Sequence, residues 1–420
     1  MQKKLIALAV AGLLSAPAFA QSNVTIYGTV DYGYTLQNRN VAHGVDSRQG
    51  VDSGISKASR IGFKVVEDLG NGLKVVGVLE NGLAGDTTGV GILNGTARQS
   101  YAALAGGFGT VAFGRHYTPQ HLFQSAVDPF AANGIGSSAN VLSKDTRLSN
   151  LVAYISPSWG GFSFIAAYTN SYEGQENNEN RGSHRAGYTI DQNTGTIVPT
   201  PAGYDYDLTD TRVIAFAPSF ATGGLFVAAN YHQAKFNEPD APAEHLRVLE
   251  GYASYDFGPV KIGGLYGQRV TKDVDTRAVG GVKDDIKVSQ LLIGATFKIS
   301  ANDAILASFS RRTVKTGDYA DIPGLPLDKL KLDQWALGYE HSLSKRTTLY
   351  AQYVGQRQNN AQKIANERLE ALDNAVGLGG VVSGLGGVVG YNSRSVSSSQ
   401  DGIGGTGYRQ GLAVGVRHDF

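Results

Sequence analysis

A two-residue alternation of apolar and polar side chains runs through this chain from near its start to its last residue. In "VTIYGTVDYGYTL", Val24, Ile26, Gly28, Val30, Tyr32, Tyr34 and Leu36 fall on one parity, against Thr25, Tyr27, Thr29, Asp31, Gly33 and Thr35 on the other. In "SRIGFKVVEDLG", Ile61, Phe63 and Val65 oppose Arg60, Gly62 and Lys64. In "QWALGYEH", Trp335, Leu337, Tyr339 and His341 oppose Gln334, Ala336, Gly338 and Glu340. The final stretch "GLAVGVRHDF" sets Leu412, Val414, Val416, His418 and Phe420 against Gly411, Ala413, Gly415, Arg417 and Asp419. A period of two belongs to strands, and an apolar face opposite one of charge, amide and glycine needs an apolar medium on one side and water on the other.

Two arrangements satisfy such strands, a sandwich with a dry interior or a barrel with a dry exterior. The connections favour the barrel. Short turns such as "LGNG" (69–72), "GGFG" (106–109), "SWGG" (158–161) and "SAND" (300–303) alternate with long polar stretches near 38–56, 84–96, 117–145, 173–208, 237–245, 272–285, 316–331 and 359–408. Eight long segments separated by seven short turns imply about sixteen strands, with short turns at one end and long loops at the other. Aromatic residues close to strand ends (Tyr34, Tyr154, Trp159, Tyr231, Tyr339, Phe420) suit a membrane interface. The expected fold is all-β, a single up-and-down antiparallel transmembrane β-barrel, because closure satisfies every strand edge where lipid offers no hydrogen bonds. About sixteen strands leave room for an aqueous channel.

The N-terminus reads as an export signal. "MQKKLIALAVAGLLSAPAFA" has a basic start (Lys3, Lys4), an apolar run from Leu5 to Leu14, and a small-residue cleavage site at Ala18-Phe19-Ala20. Residues 1–20 are therefore expected to be a signal peptide and residues 21–420 a single barrel domain. Exported proteins are free to form disulfides, yet the chain has no cysteine, so its stability rests on closure of the sheet. With Lys3 and Lys4 removed, basic and acidic residues nearly balance, which points away from nucleic acid as a partner.

Local signatures of catalysis are absent from the sequence. There is no HExxH and no G-x-S-x-G, and without cysteine there is neither thiol chemistry nor a zinc–sulfur site. "GIGGTG" (402–407) and "GFGTVA" (107–112) match dinucleotide fingerprints, but neither has a strand before it and a helix after it, so turn glycine is the reading adopted. No cofactor is expected.

The segments "VTIYGTVDYGY", "SRIGFKVVEDLGNGLKVV", "RQSYAALAGGFGTVAFGRHY", "RLSNLVAYISPSWGGFSF" and the terminal "VRHDF" resemble the Gram-negative general porins, specifically the beta-proteobacterial trimeric branch. The resemblance covers nearly all of the chain after the signal and lapses in the long loops. It implies a homotrimer in the bacterial outer membrane that passively passes ions and small hydrophilic solutes, with no turnover. It also implies that Phe420 is part of the terminal signal read by the outer-membrane assembly machinery.

Arginines supply the strongest functional signal. Arg60, Arg98 and Arg147 each sit at or near the start of a strand, on the parity opposite the apolar face and beside a long loop. Fixed positive charge in a narrow, low-dielectric passage attracts anions. The resemblance implies that these three converge on a pore constriction, and that loop 117–145 folds inward to form it. Within that loop Leu122, Phe123, Val127 and Phe130 provide apolar anchors that a purely external loop would not need. The expectation is that Asp128 and Asp145 face the arginines across the passage, giving a weakly anion-selective pore. An adhesin or structural barrel acting through its external loops is the alternative. The last long loop departs from the family: "IANERLEALDNA" reads as a short amphipathic helix, within a helical expectation for 361–375, and is followed by the near-repeat "GLGGVVSGLGGVV" (377–389). The polar segment 173–181 reads as a solvated outer surface.

Overall fold

A computed structural model describes residues 23–38, 47–83, 85–86, 97–131, 134–170, 187–190, 197–200, 212–235, 244–275, 283–315, 329–359 and 410–420. The export signal 1–20, the helical expectation for 361–375, the glycine–valine repeat 377–389, the motif 402–407 and the polar segment 173–181 lie outside the described residues.

Strand order follows the alternation. The strands are β1 (Asn23–Gln37), β2 (Arg48–Ser53), β3 (Arg60–Gly70), β4 (Leu73–Gly82), β5 (Ala97–Gly106), β6 (Gly109–Tyr117), β7 (Arg147–Ile155), β8 (Phe162–Thr169), β9 (Gly187–Ile190), β10 (Ile197–Thr200), β11 (Arg212–Thr222) and β12 (Leu225–Lys235). They continue as β13 (His245–Asp256), β14 (Val260–Asp275), β15 (Lys283–Lys298), β16 (Asp303–Lys315), β17 (Leu330–Ser342), β18 (Thr347–Gln358) and β19 (Gln410–Asp419). Among the described residues, the long connection between β6 and β7 carries an α-helix, α1 (Pro119–Val127), and a short 3-10 turn at Ser138–Asn140.

The strands form a closed antiparallel barrel of 16 strand positions. The main sheet contains 17 strands, but β2 and β3 share one position, lying end to end along β1. β2 pairs with Tyr32–Gln37 and β3 with Asn23–Thr29. Between them, residues 54–59 leave the ladder and turn into the barrel, where Ile55 is 1% exposed. β8 pairs with β11 across the long connection that carries the β9–β10 hairpin. β19 closes the circle on the C-terminal half of β1, from Thr29↔Asp419 to Gln37↔Gly411. Phe420 completes the seam through reciprocal 3.1 Å backbone hydrogen bonds with Gly28.

The stretch 38–56, read from sequence as one long loop, contains β2. "RQGVDS" has few β-formers, so it forms a strand only because β1 supplies a ladder. Likewise 173–208 contains the β9–β10 hairpin.

Side-chain direction follows the parity. Val24, Ile26, Phe63, Leu79, Phe113, Leu249, Ile293, Leu337 and Val414 point outward and are exposed, whereas Asp31, Glu80, Arg98, Glu250, Gln290 and Gln334 point inward and are buried. A soluble protein would reverse this pattern. Here the apolar surface is the outside, as a lipid-embedded barrel requires. Aromatic contacts cluster at the short-turn end, where Trp159 stacks on Phe162 and Tyr255 meets Phe257. The β3–β4 turn shows why short connections are glycine-rich: Gly70, Asn71 and Gly72 all have positive φ, which L side chains other than asparagine rarely adopt.

Candidate functional site

The connection between β6 and β7 fills part of the barrel. Its helix α1 starts where the sequence provides a start signal: Thr118 caps it by accepting from the His121 amide at 3.1 Å, and Pro119 occupies the first turn, whose missing N–H costs nothing there. The anchors identified from sequence are buried against the inner wall. Phe123 meets Phe226 and Tyr252 edge-on, and Val127 joins Leu265 and Leu292 in the same cluster. Further along, Phe130 and Ile135 pack with Leu306, Ala336 and Tyr350, and with Ile55 from the inturned segment 54–59.

Polar pins complete the attachment. The Gln120 amide donates to Glu250 Oε1 at 3.0 Å, Gln334 Nε2 donates to the Ser137 carbonyl at 2.8 Å, and Lys261 Nζ donates to the Ala126 carbonyl at 2.6 Å. Gln290 donates to both Glu250 and the Ser143 carbonyl. The wall beneath is shaped for close approach. A Cβ on Gly263 would lie 2.7 Å from the Val127 oxygen, one on Gly294 2.4 Å from Pro129, and one on Gly338 2.9 Å from the Phe130 ring. Gly263 and Gly294 are directly paired between β14 and β15. These glycines form a trench in which the loop backbone lies.

The three arginines proposed from sequence come together on the stretch of wall formed by β3–β7. Arg98 Nε donates to Glu80 Oε1 at 2.8 Å, and Arg60 Nε lies 3.8 Å from Glu80 Oε2. Arg98 Nη2 donates to the Tyr117 hydroxyl at 2.9 Å, and the Arg147 guanidinium sits over the Tyr117 ring at 4.8 Å. Tyr117 in turn stacks on His121 at 4.5 Å, and Lys144 Nζ approaches His121 Nδ1 at 3.3 Å. A bulge between Glu80 and Asn81 against β5 accompanies the inward turn of Arg98. Burial, followed by the positive field of Lys144, Arg147, Arg98 and Arg60, pushes the His121 pKa well below its ordinary value, so this imidazole stays neutral.

The loop acids behave differently from expectation. Asp128 does not face the arginines. Its carboxylate accepts from the Phe130 amide at 2.9 Å, the Ser138 amide at 2.9 Å and the Ser138 hydroxyl at 2.6 Å, and so staples the loop to itself. Burial raises its pKa, and the Ser138 hydrogen bonds partly oppose that rise. The reason is local: an Asx-type turn after a helix offers a carboxylate nearby amides that a distant guanidinium cannot match. Asp145 aims its carboxylate at His232 Nε2, 3.1 Å away, and at Arg269 Nη1, 3.4 Å away, on β12 and β14. The carboxylate in the arginine cluster is instead Glu80, which sequence reasoning missed. Its signal was present, since Lys74, Val76, Val78 and Glu80 share the inward parity of β4 while Leu79 points out.

Comparison with known proteins identifies the family and the fold. A family model described as Gram-negative porin matches residues 7–362. Outer membrane porin protein 32 of Delftia acidovorans is 29% identical over 429 residues, spanning 100% of both chains. The major outer membrane protein P.IB of Neisseria meningitidis is 29% identical over 323 residues, covering 73% of this chain and 92% of that protein. Among solved structures, an anion-selective porin from Comamonas acidovorans superposes with a TM-score of 0.65 at 25% identity, covering 95% of this chain and 100% of its own. OmpT of Vibrio cholerae, in a trimer form, superposes with a TM-score of 0.58 at 13% identity and so supports the fold alone. With its 16-position barrel, outward apolar face, water-facing interior and inward loop, the chain belongs to the Gram-negative porin family, the general diffusion channels of the outer membrane.

Proposed function

We propose that the pore is narrowed by the β6–β7 loop and passes small hydrophilic solutes passively with a modest preference for anions. The observation that carries this reading is the convergence of Arg60, Arg98 and Arg147 around Tyr117 with Glu80 as the carboxylate in the knot, while the loop acids Asp128 and Asp145 are engaged elsewhere. The cluster therefore carries more positive than negative charge. At ~4 Å, two unit charges interact by about 1 kcal/mol in water and about 4 kcal/mol at an effective dielectric of 20. The lower figure already changes ion occupancy about fivefold. The similar Comamonas acidovorans protein is described as an anion-selective porin, which agrees with this sign.

The same reading includes assembly as a homotrimer, removal of residues 1–20 on export, and use of the Phe420 terminus by the outer-membrane assembly machinery. The Phe420 backbone is zipped onto Gly28 at the barrel seam, so deleting it removes part of the closure itself. Reversal potentials in a potassium chloride gradient test the selectivity. The variant Arg60→Ser, Arg98→Ser, Arg147→Ser is expected to lose anion preference, most clearly at low salt, where screening is weakest. Val414→Ala, on the lipid face, serves as the control and leaves the potential alone. A triple variant that keeps the parent's reversal potential removes these residues from the filter.

A further inference from the structure

The outer surface of the barrel is chemically divided at its long-loop end. On β11–β18, outward-facing positions just beyond the apolar band are basic and exposed: Arg212, Lys235, Arg247, Lys287, Lys315 and Arg357. Strand register places them in a row. Arg212 pairs with Lys235, Lys235 pairs with His245 two residues before Arg247, and Lys287 pairs with Lys315. Arg357 stands opposite Asp333, which Arg311 grips with both nitrogens at 2.7 and 2.8 Å. Two outward acids on these strands, Asp333 and Asp285, are already held by Arg311 and Lys272. Among the described residues, none of the six row cations forms an ion pair with a carboxylate.

Each cation shares its face with exposed apolar side chains nearer the middle of the barrel: Arg212 with Ile214, Arg247 with Leu249, Lys287 with Ile293. The row thus lies at the upper edge of the lipid-facing band. On the other part of the circumference, β1–β8 and β19, the corresponding outward positions include Leu36, Gln49, Val51 and Asn81. The described outward cation there, Arg115, donates to the Ala97 carbonyl at 2.9 Å and to Ser149 Oγ at 2.8 Å.

Cations on an apolar wall repel one another and destabilise an isolated sheet face, so a concentration on one side needs a counter-charge at that height. The short turns of outer-membrane barrels lie on the periplasmic side and the long loops outside, so the row meets the outer leaflet where acyl chains give way to headgroups. We infer that the rim of β11–β18 is a docking surface for phosphate-bearing headgroups of outer-leaflet lipids, while β1–β8 and β19 have no such role. Lys and Arg aligned above an apolar band suit a lipid better than a soluble anion, because the stems lie on the acyl region as the charges reach the phosphates.

Trp335 reports on this surface, since it faces outward on β17 beside Phe309 and Tyr353. The full chain, carrying Trp159→Phe so that Trp335 alone emits, is reconstituted in phosphatidylcholine vesicles containing a minor fraction of either phosphatidic acid or phosphatidylcholine with brominated acyl chains. Quenching is expected to show at least about fivefold enrichment of phosphatidic acid at Trp335, in line with attraction shared by several cations. The combined variant Arg212→Gln, Lys235→Gln, Arg247→Gln, Lys287→Gln, Lys315→Gln, Arg357→Gln should bring that ratio to about one. Single glutamine substitutions should lower it stepwise and serve if the multiple variant does not fold, while Arg247→Lys should keep it. Equal quenching by the two lipids in the parent overturns the inference, as does a preference that survives removal of the cations. Loss of the preference on adding inorganic phosphate at matched ionic strength assigns the row to soluble anions and overturns it equally.

Discussion

Two walls of the same lumen have been given different work. The β12–β18 wall is built of glycine, small side chains, amides and apolar residues, and the β6–β7 loop lies on it: Gly263, Gly294 and Gly338 make room, Phe123 and Phe130 fill it, and Gln120, Gln290 and Gln334 pin it. The β3–β7 wall carries Arg60, Arg98 and Arg147 about Tyr117 and Glu80. The difference teaches that narrowing and charge are separable here. On the proposed reading, a loop bedded on one wall reduces the passage without neutralising the other; its own acids hold the loop in place.

The largest expected effect comes from breaking the charged wall at its buried point. Arg98 and Glu80 each have about 3% of the side chain exposed, so Arg98→Ser leaves a buried carboxylate with the longer Arg60 contact and the neutral donors Tyr27 and Gln99. Removing one partner of such a pair costs about 3–5 kcal/mol. The variant should therefore unfold in detergent at a clearly lower temperature as well as lose anion preference; an unchanged thermal transition would show that the pair is not holding the wall.

Breaking the other wall should have the opposite signature. Gly294→Leu puts a side chain where a Cβ alone would already sit 2.4 Å from Pro129. Overpacking of this kind costs about 1–3 kcal/mol, and moving the loop is the way to relieve it. Single-channel conductance should change while the sign of the selectivity is kept. Reversal of that sign would mean that width and charge are coupled after all.

Arg147→Ser is a gentler probe. This guanidinium lies over an aromatic ring, and a cation–π contact at a partly exposed site is worth about 0.5–1 kcal/mol. Stability should fall little, and the anion-to-cation permeability ratio should drop by up to about fivefold. The smallest effect is expected at His121. Its pKa is depressed by burial and by neighbouring cations, so it remains neutral through the range in which an ordinary histidine titrates and takes up a proton only at lower pH. Between about pH 7.5 and about pH 6, His121→Gln should show the same pH dependence of reversal potential as the parent. A parent that gains anion preference across that interval, where the variant does not, would show His121 titrating in the pore wall.

Much of this was legible in the chain as written, because strand direction is a matter of parity. Once an apolar face is recognised in "SRIGF", Arg60 must point the other way, and the same logic places Arg417 and Asp419 inside and Val414 in lipid. Turn spacing sets strand number to about sixteen, and a closed sheet follows from the need to satisfy every edge in lipid. Apolar residues in the loop 117–145 marked it as an inward segment. The capped start of α1 is written there too, in Thr118-Pro119, although the polar and glycine-rich residues around it read as loop.

What tertiary structure decided is who meets whom across long stretches of chain. That Glu80 rather than Asp128 or Asp145 sits among the arginines depends on the registers of β3, β4 and β5 and on the bulge at Asn81, none of which a single strand encodes. Whether a glycine is a turn, a weak point or a trench for Pro129 depends on what lies above it, and Gly294 and Pro129 are far apart in sequence. The parity of a strand is a local property of the backbone and is inherited by every side chain on it. The pairing of charges is a property of the assembled sheet: it exists only once β3, β4 and β5 are in register and, for the contacts to His121, once the loop has settled against the wall.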